Sequence, residues 1–279
     1  MISAAFKSFR KRLRRSCADI GRLSQSADTP PLGFIRMGDF APDDIFIAGY
    51  PKSGNTWMQV LVSCITYGID PDTSPDSLVQ ELVPDIHYKA HYKRFRETSC
   101  FKTHDLPRPE YRRVINIVRD GRDVLCSYKP YSEALGGTFD TDSAIDDGSG
   151  LPFGAWQDHA LAWDRNPFGA EKIVVRYEDL IDDCVGELGR ISRFIGITRN
   201  RSELAAIAAA TTAEKMKRRE VLLGWDNKAW PKDKAFVRVG KKGTFKQELT
   251  AAQIGRFNAR ADKALRLHGY LRTATAKAA

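Results

Sequence analysis

Ile45-Phe-Ile-Ala-Gly-Tyr-Pro-Lys-Ser-Gly-Asn-Thr-Trp57 is the stretch whose reading decides the fold. Ile45 to Ala48 is a short apolar run rich in β-branched residues, the pattern of a strand buried on both faces. It breaks at Gly49 into a loop carrying Pro51, Ser53 and Gly54. The apolar stretch Thr56 to Tyr67 then predicts a buried helix that closes before Gly68. A strand, a glycine-bearing loop and a helix N-terminus in succession make an anion cradle, because unpaired backbone N–H groups and the positive helix end face into it.

The spacing of Gly49 and Gly54 matches the triphosphate loop G-x-x-x-x-G-K-[ST], but Asn55 stands where its lysine belongs. The lysine appears inside the loop instead, as Lys52. A phosphate-type ligand is therefore expected here, but not a conventional triphosphate. An ordinary strand-to-helix turn with packing glycines would not need lysine, serine and threonine crowded into one short loop.

Working outward, 279 residues suit one large α/β domain able to bury a sizeable core. Five cysteines (Cys17, Cys64, Cys100, Cys126, Cys184) form no C-x-x-C pair, which points to reduced thiols and a cytoplasmic setting and away from a disulfide framework or zinc site. The net charge is +9, and residues 1–25 supply six of it, with Lys7, Arg10, Lys11, Arg12, Arg14, Arg15 and Arg22 set against Asp19. The remainder is mildly basic, which fits an anionic small molecule better than a nucleic-acid face. The basic opening segment, with Ile2, Phe6, Phe9 and Leu13 at helical spacing, reads as a solvated arm, a transit peptide or a peripheral membrane contact. No run is long enough to span a bilayer, and no secretory signal is expected.

Further strands are expected at Ser99–His104, Arg113–Val118 and Ile173–Tyr177. Helices are expected after Asp123, over Trp156–Asn166, Cys184–Ile195 and Glu203–Ala210, and from a Thr250/Gln253 capping box to His268. Gly136–Gly154 reads as a mobile acidic loop, and His87 and His91 as surface histidines. Strands alternating with helices predict one P-loop-like α/β domain, a central parallel sheet with helices on both faces. A magnesium-dependent kinase would place an aspartate at the end of the third strand. Here Arg119 comes first, and Asp120 is placed to cap the next helix. Lys52–Thr56, Arg119 with Ser127, and Arg238–Gly243 are thus three separate anion-binding segments, which implies a ligand phosphorylated at two distant points.

Five motifs in order carry a resemblance: Tyr50-Pro-Lys-Ser-Gly-Asn-Thr-Trp57, Lys102-Thr-His104, Val118-Arg-Asp-Gly-Arg-Asp-Val124 with Ser127, Tyr177-Glu-Asp-Leu180, and Arg238-x-Gly240-x-x-Gly243. From about Asp44 to His268 the chain resembles the sulfotransferases that use 3′-phosphoadenosine 5′-phosphosulfate (PAPS), nearest the cytosolic type. The resemblance implies a sulfotransferase domain over 41–272, preceded by a basic arm and linker (1–40) and followed by a short tail (273–279). It implies PAPS as co-substrate, no metal, and a small-molecule acceptor. Lys52, Ser53, Gly54, Asn55 and Thr56 would hold the 5′-phosphosulfate, and Trp57 would stack on adenine beside Tyr177 and Thr211. Arg119, Ser127 and the Arg238-Val239-Gly240 turn would hold the 3′-phosphate, with Lys102 and His104 at the reacting sulfonate. Ala213 and Phe245 depart from the family's usual phenylalanine and tryptophan.

The physical roles follow independently. A neutral His104 at a strand end suits removal of an acceptor proton, with Asp105 as an alternative carboxylate base. Lys52 can neutralise charge on the leaving oxygen, and Lys102, on the same strand face as His104, can hold a sulfonate oxygen. The alternatives are a P-loop kinase, opposed by the displaced lysine and by Arg119, and a nucleotide- or membrane-binding adaptor. Lys52, Lys102 and His104 together oppose the adaptor. The acceptor and the oligomeric state are not written in the sequence.

Overall fold

The computed structural model describes residues 29–225, 230–231, 233–237 and 240–271. The basic arm up to residue 28, Arg238, Val239 and the tail 273–279 therefore lie outside the described residues.

In chain order the elements are β1 (Ile35–Arg36), β2 (Ile45–Gly49), α1 (Asn55–Tyr67), α2 (Asp76–Leu82), β3 (His91–Tyr92), β4 (Cys100–Thr103) and β5 (Arg113–Val118). They continue with α3 (Gly121–Ala134), α4 (Thr141–Asp147), α5 (Trp156–Arg165), β6 (Glu171–Arg176), α6 (Tyr177–Asp182) and α7 (Cys184–Ile195). The last are α8 (Arg201–Ala210), α9 (Ala213–Leu223), α10 (Phe245–Glu248) and α11 (Ala251–Leu267).

The strands β4-β2-β5-β6 form one sheet in that order, all parallel. The β2 residues Ile45–Gly49 are buried throughout, as a central parallel strand requires. Alternation along β2 divides the core. Ile45 and Ile47 pack with Met58, Leu61 and Ile65 of α1 and with Leu188 and Ile191 of α7. Phe46 and Ala48 face the other way, toward Phe101, Tyr111 and Trp163. A third cluster joins Val124 and Leu125 of α3 to Trp156, Phe257 and Leu265, so the C-terminal helix α11 covers that layer.

Helix ends follow local chemistry. Asp120 caps α3 by accepting the Arg122 N–H, and Thr250 with Gln253 forms the expected capping box on α11. Two segments differ from expectation. Gly136–Gly154 contains the helix α4, because Asp140 accepts the Asp142 N–H at its start and Gly148 closes it in a left-handed conformation. The stretches before β2 and β4, read as linker and turns, also pair as a two-stranded antiparallel sheet, Ile35 opposite Tyr92.

In the parallel ladders Ala48 lies opposite Thr103, Gly49 opposite Ile117, and Val118 opposite Arg176. The residues that follow β2, β4, β5 and β6 therefore emerge at one edge. They are the Lys52 loop, His104, Arg119 and Tyr177, and in parallel α/β sheets this edge is where ligands bind.

Candidate active site

The loop between β2 and α1 is built around two backbone positions. Gly54 caps α1 at φ 97°, and a side chain there would meet the Tyr177 ring at 2.7 Å. Lys52 is a non-glycine residue in the left-handed region, φ 70°, a conformation that costs roughly 1–2 kcal/mol and that the loop imposes. A Cβ on Gly49 would lie 2.4 Å from Ile117 and 2.5 Å from the Asn55 amide oxygen, so the first glycine lets β2 and β5 approach closely. Asn55 donates to Tyr50 O at 2.8 Å, and Ser53 N–H donates to the same oxygen at 3.1 Å, tying the loop into a ring.

Arg119 stands at the centre, at the end of β5. Its guanidinium donates to Lys52 O and to Lys241 O, each at 3.1 Å, and lies 4.4 Å over the Tyr177 ring. Trp57 meets the same ring edge-on at 5.8 Å. One arginine thus joins the β2 loop to the loop before α10. Asp123 pins that second loop by accepting from Gly243 N–H at 2.6 Å and Phe245 N–H at 2.9 Å. Arg122 lies 4.1 Å over the Phe245 ring, so the phenylalanine serves as a platform for a cation. Gly240 adopts φ 65°, and a Cβ there would sit 2.3 Å from the Ala213 methyl, so the small residue at 213 lets this loop settle on α9.

Sequence reasoning grouped Lys52–Trp57, Arg119 and Tyr177, and the structure brings them into contact. Thr211 is buried at the end of α8, its hydroxyl turned back to Ile207 O at 2.8 Å. Ser127 lies within α3, partly buried. Arg238 and Val239 lie outside the described residues. The Lys52 ammonium sits 4.3 Å from the centres of both Tyr131 and Phe236, held between two rings.

Lys102 is placed differently from the simple expectation of a lysine open to a sulfonate. Its ammonium is buried against Asp85 at 2.7 Å. Burial alone would push the Asp85 carboxyl up, but the charge of Lys102 and its hydrogen bond outweigh it and hold the carboxyl below its usual range. Asp105, the alternative base, is also committed. It is buried, accepts the Tyr111 hydroxyl at 2.8 Å and pairs with Arg108 at 3.3 Å.

His104 keeps a partly accessible edge in dry surroundings. Its Nδ1 lies 2.8 Å from Gly49 O, so it donates there and leaves Nε2 as the free acceptor. Burial, then the positive charge of Lys102, pushes its pKa down to about 3, which makes the ring neutral at neutral pH. His159 donates from Nε2 to His104 O at 3.1 Å, and burial lowers its own pKa to about 4.

Four residues escaped the sequence reading. Asp85 and His159 carried no motif of their own, and Asp123 stood in the Arg119 motif without an assigned role. His87, read as a surface histidine, is instead enclosed beside His104, with the two rings 5.8 Å apart and nearly parallel. In the structure His91 belongs to β3, and only the packing of Asp85–His87 along β4 reveals the contact.

Whether this edge fits a nucleotide phosphorylated at two points is tested by its unsatisfied groups. The Ser53 hydroxyl, the Asn55 amide oxygen, the Trp57 indole N–H and the Arg119 Nε–H are all buried without a partner. Buried polar atoms are costly to leave unpaired, and here they cluster in the loop and on the arginine that would receive phosphate oxygens. The residues fit. Among the described residues no cluster of His, Cys, Asp and Glu forms a metal site, and no helix is long and apolar enough to cross a membrane.

A parallel sheet with an anion loop on its central strand, a displaced loop lysine and a strand-end histidine define a group-transfer enzyme of the sulfotransferase class. The family model described as a sulfotransferase domain matches residues 42–269, and the chain belongs to that family. Human sulfotransferase 1C2 is 25% identical over 263 residues, covering 85% of this chain and 88% of the relative. Mouse sulfotransferase 4A1 is 26% identical over 200 residues, covering 64% and 70%. Among solved structures, mouse sulfotransferase SULT7A1 complexed with PAP is similar at 25% identity and TM-score 0.62, over 83% of this chain and 87% of that one. Retinol dehydratase in complex with androsterone and the inactive cofactor PAP shares the fold at 18% identity and TM-score 0.63, over 84% of each chain.

Proposed function

We propose that this sulfotransferase moves a sulfonate group in line from PAPS to a hydroxyl, or an amine, of a small-molecule acceptor, with His104 as general base and no metal. The observation that carries the reading is the bond between His104 Nδ1 and Gly49 O at 2.8 Å. It places the ring proton on Nδ1 and the lone pair on Nε2, at the same strand edge as the Lys52 loop. As the acceptor oxygen bonds to sulfur, its proton passes to Nε2. The bridging S–O bond breaks and leaves its electron pair on the phosphate oxygen, where Lys52 can neutralise the charge.

A pKa of about 3 makes His104 by itself a weak base. An anionic donor beside it offsets the Lys102 charge and raises its basicity, which matches the base to the moment it is needed. The two-pocket donor is supported by the orphaned polar groups of Ser53, Asn55 and Arg119, and by the complex of mouse SULT7A1 with PAP. Arg119, with Ser127, Arg238, Val239 and Gly240, would hold the 3′-phosphate; Trp57, Tyr177 and Thr211 would line the nucleoside. The acceptor side of His104 is apolar, with Phe153 5.6 Å from its ring, which supports a small apolar acceptor. Retinol dehydratase, of similar fold, forms complexes with androsterone and with retinol, both molecules of that kind.

The test is His104→Ala, with transfer of labelled sulfonate and PAP binding measured together. Turnover is expected to fall by at least about 100-fold, the usual scale for a lost general base, with PAP affinity retained. Undiminished turnover would remove His104 from the role.

A further inference from the structure

The short segment ahead of β4, Pro84 to His87, holds both of the groups expected at the reacting sulfonate. It lies against β4 as a single parallel bridge, Asp85 opposite Lys102. Lys102 N–H donates to Pro84 O at 2.9 Å, and Ile86 N–H donates to Lys102 O at 3.0 Å. Asp85 is fully enclosed, and each carboxylate oxygen has a separate task. Oδ2 accepts the Lys102 ammonium at 2.7 Å, while Oδ1 accepts the His87 backbone N–H at 2.9 Å. The second bond is an Asx-type turn, which redirects the chain so that His87 faces His104.

His104 needs such a neighbour. The ladder between β2 and β4 ends with Ala48 opposite Thr103, so the sheet no longer supplies an acceptor for the His104 N–H. His87 Nε2 accepts it at 3.1 Å. Acceptance at Nε2 requires a neutral His87 ring with its proton on Nδ1. The two imidazoles stack at an interplanar angle of 10°, and Phe153 closes over both, 5.7 Å from His87 and 5.6 Å from His104. His104 is thereby held through its ring by Gly49 O and through its backbone by His87.

We propose that Asp85 and His87 form one positioning unit that fixes the His104 ring and the Lys102 ammonium in a common register. The proposal rests on the reading of His104 as the base. Neither residue needs to touch the reacting atoms. Asp85 sets Lys102 directly and His104 through His87, so one carboxylate coordinates both.

The experiment uses the full-length protein and the variants His87→Ala, His87→Gln, Asp85→Asn and His104→Ala. Three readouts are taken: ¹⁵N-histidine NMR of His104, PAP binding by calorimetry, and steady-state transfer from PAPS to 2-naphthol as probe acceptor. The parent is expected to show His104 as a single tautomer with Nε2 unprotonated. His87→Ala should mix the tautomers and lower kcat about 10- to 100-fold, the scale of a misplaced reacting group, with PAP affinity within about twofold. In His87→Gln the side-chain oxygen can reach the place of Nε2, so most of kcat should return. Asp85→Asn keeps the bond to the His87 N–H and should lower kcat with His104 still in one tautomer. If His87→Ala leaves the His104 signals and kcat as in the parent, the positioning unit is refuted. It is equally refuted if kcat and PAP affinity fall together without rescue by glutamine. His104→Ala separates the two ideas: retained turnover there overturns the base, whereas lost turnover beside an unaffected His87→Ala overturns only the positioning.

Discussion

The buried pair Asp85–Lys102 makes a quantitative claim about stability. The contact is 2.7 Å, and the side chains are 0% and 8% exposed, so solvent screens it little. Removing one member of a buried pair typically costs about 3–5 kcal/mol, because the survivor is left charged and uncompensated. Asp85→Asn keeps the shape and the acceptor for the His87 N–H, so its cost should lie near the lower end, about 3 kcal/mol. At roughly 2–4 °C per kcal/mol for a domain of this size, the melting temperature should fall by about 6–12 °C. Replacing both members, as Asp85→Asn with Lys102→Met, removes the stranded charge. That double variant should recover much of the loss, for a coupling of about 2 kcal/mol or more.

Acid sharpens the test. The Asp85 carboxyl is held low in the folded chain, so its contribution is fully present above about pH 4 and lost as pH falls through the folded value. Lys102→Met leaves a buried carboxylate that escapes by taking a proton, so this variant should lose less stability than the parent on acidification. Urea unfolding of the four-member cycle at pH 7 measures the coupling, and its repetition down to about pH 3 measures the acid effect. A coupling below about 0.5 kcal/mol, or a double variant as unstable as Asp85→Asn, would refute the reasoning.

Arg119→Lys keeps the charge but loses the fork that reaches Lys52 O and Lys241 O, so PAPS should bind roughly 10- to 100-fold more weakly. Its preference over adenosine 5′-phosphosulfate should shrink in parallel; a parent that binds both nucleotides equally would contradict the two-pocket site. His159 is buried and His104 and His268 are partly buried, and desolvation lowers the pKa values of His104, His159 and His268 to about 3, 4 and 4. The unfolded chain takes these protons first, so stability is present above about pH 6.5 and declines as pH falls, by up to about 1.4 kcal/mol per pH unit and histidine. The partly accessible edge of His104 makes its share smaller. Denaturation midpoints that stay level between pH 7 and pH 5 would contradict this.

The sequence by itself determined the sheet and the edge on which most residues of the candidate anion site lie. β2, its glycine loop and α1 are local in sequence, and the hydrophobic runs of β5 and β6 have the period and length of buried strands. Arg119 was legible because it follows a strand directly, and a parallel sheet delivers all such residues to one edge. Asp120 and Thr250 were legible as caps because capping is a contact within a few residues.

What only the tertiary structure decided are the contacts made across the chain. Lys102 lies 17 residues from Asp85, and the pair exists because Pro84–Ile86 adds to an edge strand. No periodicity records that pairing, so Lys102 read as open and Asp85 as unremarkable. His87 was read as exposed for the same reason, since no local pattern gave it a partner. Asp123 looked like part of a helix start, yet it holds the loop before α10, 120 residues away. Local backbone and hydrophobic pattern fix which edge carries the chemistry. The protonation state and orientation of His104 depend instead on burial and long-range hydrogen bonds, which come into being only when the chain is folded.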